Sequence, residues 1–243
     1  MSSLFAPATL GPLTLRNRII KAATFEGRTP DGVVTPELVE FHRRIAAGGA
    51  AMTTVAYLSV APGGRTDSGA VWLRPEVVAG LRTLTDAVHD EGALAAAQIG
   101  HAGPVANAAS NGTAAYAPGR MFNPLGMRRT RACTEADIER ITSEYVTGAR
   151  LCVQAGFDSI EVHLGHNYLL SAFLSPAFNK RDDRFGGSLE NRARFARQVM
   201  QAVRVAAGNR VAVTAKLNMV DGVPGGLRIE DSLQVAQWLA EDG

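Results

Sequence analysis

The 243-residue sequence predicts an α/β protein built on a parallel sheet with covering helices. Three observations carry that prediction. Apolar strand-like runs and helix-like runs alternate five times along the chain. Gly49, Gly92, Gly156 and Gly208 each fall between the end of a helical pattern and the start of an apolar run, where a left-handed cap is wanted. A hydrophobic content of 46% over this length is enough for one large core. An open doubly wound sheet and a closed barrel both satisfy the alternation.

In chain order, residues 4–18 carry alternating apolar side chains broken by Gly11-Pro12, a hairpin expected to plug the floor of the sheet. A short strand over 19–23 ends in Ala22-Ala23-Thr24, side chains small enough for a flat ring to approach the backbone. Thr35-Pro36-Glu37 then opens a helix with a capping hydroxyl, a proline in the first position and an acid in the first turn. Strands are expected over 51–56, 94–99, 159–162 and 211–216, and helices over 75–90, 134–154, 188–206 and 230–242. Within 159–162, β-branched Ile160 and Val162 alternate with Glu161, and the helical pattern resumes only at Ser188. Gly243 stands where the glycine before a sixth strand would fall. The expectation is a single domain over 1–243 holding the first five units of a longer fold.

Composition narrows the function. The 25 Lys and Arg nearly balance 23 Asp and Glu, a formal charge of +2 that makes no electrostatic case for nucleic acid. Arg128, Arg129 and Arg131 read as a solvated face. Cys133 and Cys152 are too few and too far apart for a metal or redox motif, so a reducing cytoplasm without disulfides is expected. The start MSSLFAPATL lacks the pattern of a secretory leader, and no apolar run approaches the ~20 residues that span a bilayer. A soluble protein with no membrane partner is expected.

The most informative run is residues 160–195, IEVHLGHNYLLSAFLSPAFNKRDDRFGGSLENRARF. His163, His166 and Tyr168 place three proton-handling groups within six residues at the end of a predicted strand. Two histidines so placed can also be structural, bonded to loop carbonyls. The run closely resembles the old yellow enzyme family of flavin-dependent ene-reductases and NADH:flavin oxidoreductases. Members carry a His, a His or Asn three residues on and a Tyr two after that. The stretch LSPAFNKRDDRFGGSLENRARF matches the family's FLSP, then N, R and D, then its GGS, ENR and RF signature. Weaker echoes extend from Leu4 onward.

The resemblance implies a TIM (β/α)8-type barrel with only about five β/α units in this chain. In that fold the carboxyl ends of the strands face one mouth. The predicted strand ends are Ala22, Ala23 and Thr24, then Ala56, Gln98, His163 and Lys216. Such a mixture of small, amide, imidazole and ammonium groups suits a flavin. Its pyrimidine edge offers an imide N–H between two carbonyl oxygens, which an amide side chain can pair, and a fixed cation stabilises the anion formed on reduction.

By resemblance, these residues hold FMN, with Gln98 on the pyrimidine edge and Lys216 beside the ring nitrogen that becomes anionic. His163 and His166 would bond the oxygen of the oxidising substrate, and Tyr168 would protonate its α-carbon. A phenol with a pKa near ~10 is protonated at neutral pH and ready to donate. The reductant would be NADH or NADPH and the acceptor a small electron-poor alkene, enone or similar molecule. The absence of a G-x-G-x-x-G run fits a nicotinamide lying over the flavin.

The sequence departs from the family at two places. Lys216 stands where Arg is common and loses the planar fork that orients a ring. The segment Ala22-Ala23-Thr24-Phe25 stands where relatives often carry a Pro and a Thr or Cys that tunes the flavin.

The polar connection 101–133 has the length of a lid, with Met121 and Phe122 as pocket or packing residues. His101 is read as a loop-structure residue, and the charges of 181–194 as structural. Two other readings stand beside the flavin enzyme. One is a metal-dependent barrel hydrolase using His163, His166 and Glu161, against which the H-x-x-H spacing across a strand end argues. The other is a non-catalytic truncated barrel fragment whose first and fifth strands expose unpaired edges, with association into a homo-oligomer as one outcome.

Overall fold

The computed structural model describes residues 3–123 and 126–243. The elements in order are β1 (Ala8–Leu10), β2 (Leu13–Leu15), β3 (Ile20–Lys21), α1 (Pro36–Ala47), β4 (Met52–Ser59), α2 (Val78–Asp90) and β5 (Leu94–Gly100). The long connection follows, with α3 (Ala108–Asn111), β6 (Tyr116–Ala117), β7 (Phe122–Asn123), β8 (Arg128–Arg129) and β9 (Arg131–Ala132). The chain continues through α4 (Glu135–Gln154), β10 (Ser159–Leu164), α5 (Leu169–Leu174), α6 (Leu189–Ala207), β11 (Ala212–Leu217) and α7 (Ile229–Glu241).

Five strands form one parallel sheet in the order β11-β10-β5-β4-β3, which gives five units of a TIM-barrel-type fold. Side chains alternate between its faces with period two. On the outer face Val55, Ala95, Ala97, Ile99, Ile160, Val162 and Leu164 are buried in one cluster with Leu81, Leu84, Ile138, Ile141 and Val199 of the covering helices. The cross-strand register puts the complementary set on the inner face: Met52 and Thr54, then Leu94, Ala96 and Gln98, then Ser159, Glu161 and His163, then Ala212, Thr214 and Lys216. The β1–β2 hairpin closes the amino-terminal end of that face, packing Leu15 and Leu10 on Ala51, Met52 and Ala96. Polar inner residues therefore collect at the opposite, carboxyl-terminal end.

The caps follow the sequence signals. Thr35 Oγ1 accepts the Leu38 N–H at the start of α1, and Thr134 and Asp137 make a reciprocal capping box on α4. The four helix-terminating glycines all take positive φ, from +70° at Gly92 to +98° at Gly49.

Four strands run past their expected ends, β4 to Ser59, β5 to Gly100, β10 to Leu164 and β11 to Leu217, so His163 lies within its strand. The β4–β5 register shifts between Val55 and Leu58, an irregularity of the kind that re-aims side chains at barrel rims. Helix α5 is not expected from the sequence. All six residues of LLSAFL are buried, so the segment carries no amphipathic period to mark it. The charged 181–194 segment is structural. Arg181 bonds the Pro118 and Cys133 carbonyls and pairs with Asp183, and buried Arg192 bonds the Leu174 and Gly187 carbonyls. Among the described residues, no helix is long and apolar enough to cross a membrane.

The approach of the β5–α4 connection to α5 depends on Gly103. It has φ +55°, and a Cβ there would lie 2.6 Å from Leu169 Cα. Gly103→Ala should therefore lower stability by about 1–3 kcal/mol, through strain and displacement of α5. The check is the urea midpoint, which falls at unchanged slope if the account is correct.

Candidate active site

The strand ends open onto a hollow of about 600 Å³. Ala23, Thr24, Ala56, Gln98, His163, His166, Tyr168 and Lys216 line it, together with Phe25, Tyr57, Thr66 and Asp67. Ala22 does not join them. It is exposed and lies just past the end of β3, and the chain enters the hollow only from Ala23 onward. Met121 and Phe122 also lie outside the lining, and Phe122 is exposed on β7.

His163 is buried on the inner face of β10, in register with Lys216 of β11. Its Nδ1 accepts the Gly165 N–H at 3.2 Å. A backbone N–H can only donate, so the ring proton of the neutral imidazole resides on Nε2. Nε2 lies 3.0 Å from His166 Nδ1, which makes His163 the donor and His166 the acceptor of that contact. Burial first, then the neighbouring His166 ring and Lys216, push the His163 pKa down to about 3. A neutral His163 N–H therefore faces the hollow throughout the physiological range.

His166 and Asn167 both adopt left-handed backbone, at φ +57° and +56°. The His166 N–H donates to Asn218 Oδ1 at 3.0 Å, tying this turn to the residue just beyond β11. The Asn167 N–H donates to Ser171 Oγ. Tyr168 then caps α5, whose first N–H, that of Leu169, donates to the His101 carbonyl. The turn sets the Tyr168 ring 4.6 Å from His163, tilted to it, and 5.3 Å from Tyr57, edge to face, centroid to centroid. Burial, reinforced by the Asp67 carboxylate, pushes the Tyr168 phenol up to about 12.

Gln98 is 4% exposed, and its Nε2 donates to Glu161 Oε1 at 2.7 Å. Lys216 is half-buried, and among the described residues it makes no ion pair. Ala56 is held from the outer layer. Its N–H donates to Glu26, whose carboxylate also pairs with Lys21 at 2.6 Å and approaches buried His42. Tyr57 donates its hydroxyl proton to the Gly64 carbonyl at 2.6 Å. His101 is fully buried, with Nδ1 accepting the Gly103 N–H, and takes no part in the hollow.

Tyr57, Phe25, Thr66 and Asp67 are lining residues that no sequence signal marks. Tyr57 sits one residue past the predicted strand end, and the other three belong to loops without a motif.

Glu161 turns its carboxylate to Gln98. Among the described residues, no three of His, Cys, Asp or Glu converge into a group that could hold a metal. What the hollow offers is a neutral imidazole donor, a protonated phenol, an amide bonded to a carboxylate, one ammonium and the small side chains of Ala23 and Ala56. That donor set fits a planar heterocycle with an imide edge, which wants a paired donor and acceptor and a cation nearby.

Fold and site together define a partial TIM-barrel-type protein with a hollow at its strand ends whose lining suits a small planar molecule. Residues 3–243 match the NADH:flavin oxidoreductase / NADH oxidase family, and the chain belongs to that family. It is similar to a 4,4'-dithiodibutanoate disulfide reductase of Rhodococcus erythropolis, at 58% identity over 99% of this chain and 60% of that protein. It is also similar to a metal reductase of Desulforamulus reducens, at 39% identity over 93% of this chain and 34% of that protein. The chain thus spans about a third to three fifths of the length of these relatives. Among solved structures, the old yellow enzyme homologue of Zymomonas mobilis superposes with a TM-score of 0.90 at 27% identity, covering 99% of this chain and 70% of that one. Morphinone reductase in complex with tetrahydroNAD superposes at 0.84 and 28% identity, again over 99% and 70%.

The protonation assignment has a direct check. Long-range ¹H–¹⁵N spectra should show His163 as the Nε2–H tautomer with no titration between pH 5 and 8. Because its folded pKa lies below the unfolded value of about 6.5, the unfolded chain binds the extra proton. Stability should therefore fall as the pH drops from about 6.5 towards 3, and His163 should add nothing to that trend above pH 7. Protonation of His163 at pH 6 would contradict the assignment.

Proposed function

We propose that this chain forms the FMN-binding part of an NADH-dependent oxidoreductase that reduces small electrophilic acceptors, activated alkenes foremost. The observation that carries the reading is the contact of a neutral imidazole donor, His163, with a phenol held protonated, Tyr168, in the hollow that Gln98 also lines. When bound, FMN supplies a two-electron store that takes hydride from a nicotinamide and gives it up to an acceptor.

The chain's own residues do the rest. The carbonyl and remaining N–H of Gln98 pair with the imide edge, Ala23 and Ala56 leave room for the ring, and Lys216 sets a positive charge at the rim. The family name and the tetrahydroNAD complex of morphinone reductase favour NADH as the reductant. His163 Nε2–H can leave His166 for the oxygen of an enone. Drawing electrons to that oxygen makes the β-carbon electron-poor. Tyr168 then gives its hydroxyl proton to the α-carbon, so that alkene, NADH and one proton become alkane and NAD⁺.

The relative at 58% identity favours a second acceptor, a disulfide, for which NADH and a proton give two thiols. The two acceptors ask different things of Tyr168. An α-carbanion is a far stronger base than phenolate and takes the proton readily. A thiolate, with a conjugate acid near ~8.5, is a weaker base than the conjugate base of a phenol at about 12 and needs no such donor.

Tyr168→Phe should lower turnover of an enone by about 10²- to 10⁴-fold while changing that of 4,4'-dithiodibutanoate by less than about threefold. The check is NADH consumption by the full chain supplied with FMN. No bleaching of FMN by NADH would overturn the reading, and undiminished enone turnover in the variant would remove Tyr168 as the proton donor.

A further inference from the structure

Glu161 is a carboxylate on the inner face of the sheet, where its neighbours on the same strand are Ser159 and His163 and its in-register partners are Gln98 and Thr214. It is half-buried, and among the described residues no ion pair engages it. An unpaired carboxylate partly removed from water is costly, and an apolar side chain at this position would add to the core instead. Its hydrogen bond is to Gln98 Nε2, at 2.7 Å. We propose that Glu161 is a positioning residue that fixes the orientation of the Gln98 amide.

The chemistry of the two groups allows one arrangement. A carboxylate only accepts, so the amide must present its NH₂ to Glu161 and cannot turn its carbonyl there. Backbone register makes the contact local, since residues paired across parallel strands project to the same side. With one N–H committed, Gln98 keeps its carbonyl oxygen and a second N–H for whatever lies in the hollow. These are one acceptor for an imide N–H and one donor for the adjacent carbonyl. A flipped amide would set like groups against each other on both counts. Glu161 thus keeps the amide in the one flip that an imide can use, and it touches no reacting atom itself. This inference rests on the flavin reading given above.

The test measures the affinity of the full chain for FMN and for 3-methyl-FMN, which lacks the imide proton, by flavin fluorescence. The wild type should prefer FMN by roughly tenfold, the worth of about one hydrogen bond. Glu161→Gln can both give and accept, so both flips of Gln98 become available, and the preference should shrink to about twofold or less. Gln98→Ala should abolish it, and adding Glu161→Gln to Gln98→Ala should change nothing further. A wild-type preference that survives Glu161→Gln would overturn the positioning role. So would loss of preference in which Glu161→Gln still acts without Gln98. A wild type that binds both flavins equally, or neither, would sink the flavin reading instead, and this inference with it. Should the variant fail to fold, the wild type alone decides. The Gln98 side-chain amide should exchange its hydrogens more than tenfold slower than free glutamine at pH 7, and exchange at the free rate would overturn the proposal.

Discussion

The in-register parallel pairing of β5, β10 and β11 is the constraint on which the site depends. Gln98 faces Glu161, and His163 faces Lys216, because three strands of different origin in the sequence share one register. A slip by one residue in β10 would turn its inner set outward and put Ile160 or Val162 where the polar groups stand. That slip is opposed by the outer face, where the same alternation buries Ile160, Val162, Ala97 and Ile99 under the helices. Core packing and site assembly are two consequences of one period.

The second level of construction is the turn after β10. Short strands cannot deliver His166 and Tyr168 to the same place as His163 without a sharp reversal, and two successive left-handed residues supply it. Asn218 braces the turn from β11, and the Gly103 approach to Leu169 braces it from the β5 side. The electrostatics then follow from burial. Desolvation drives His163 and Tyr168 in opposite pKa directions, and the result in both cases is a neutral group that can donate a hydrogen. Lys216, half-buried on the neighbouring strand, supplies the positive charge.

Much of this was legible in the chain itself. Glycine caps, the Thr35-Pro36-Glu37 start and the alternation of Ile160, Glu161 and Val162 are local signals, and local signals survive folding. The candidate residues Gln98, His163 and Lys216 could be read as neighbours because strand ends in a barrel converge. Less was readable where the governing contact is distant in sequence. Helix α5 is uniformly buried and so lacks the polar face that would mark it. Tyr57 and Asp67 reach the hollow through a register shift and a loop that no spacing announces, and β3 ends at Lys21, so Ala22 falls outside the lining. The Glu161 contact with Gln98 is a product of register alone. From the sequence, Glu161 reads only as the polar member of an alternating strand and as a metal ligand in the hydrolase reading.

The central claim is that the hollow formed by these strand ends receives a flavin ring. Titration of FMN into the isotopically labelled full chain, followed through side-chain nitrogen resonances, tests it most directly. The account predicts one equivalent of FMN shifting the Gln98 amide and the His163 and His166 ring nitrogens together, while buried His101 and His42 stay unmoved. Saturation with FMN that leaves Gln98 and His163 unshifted would contradict it.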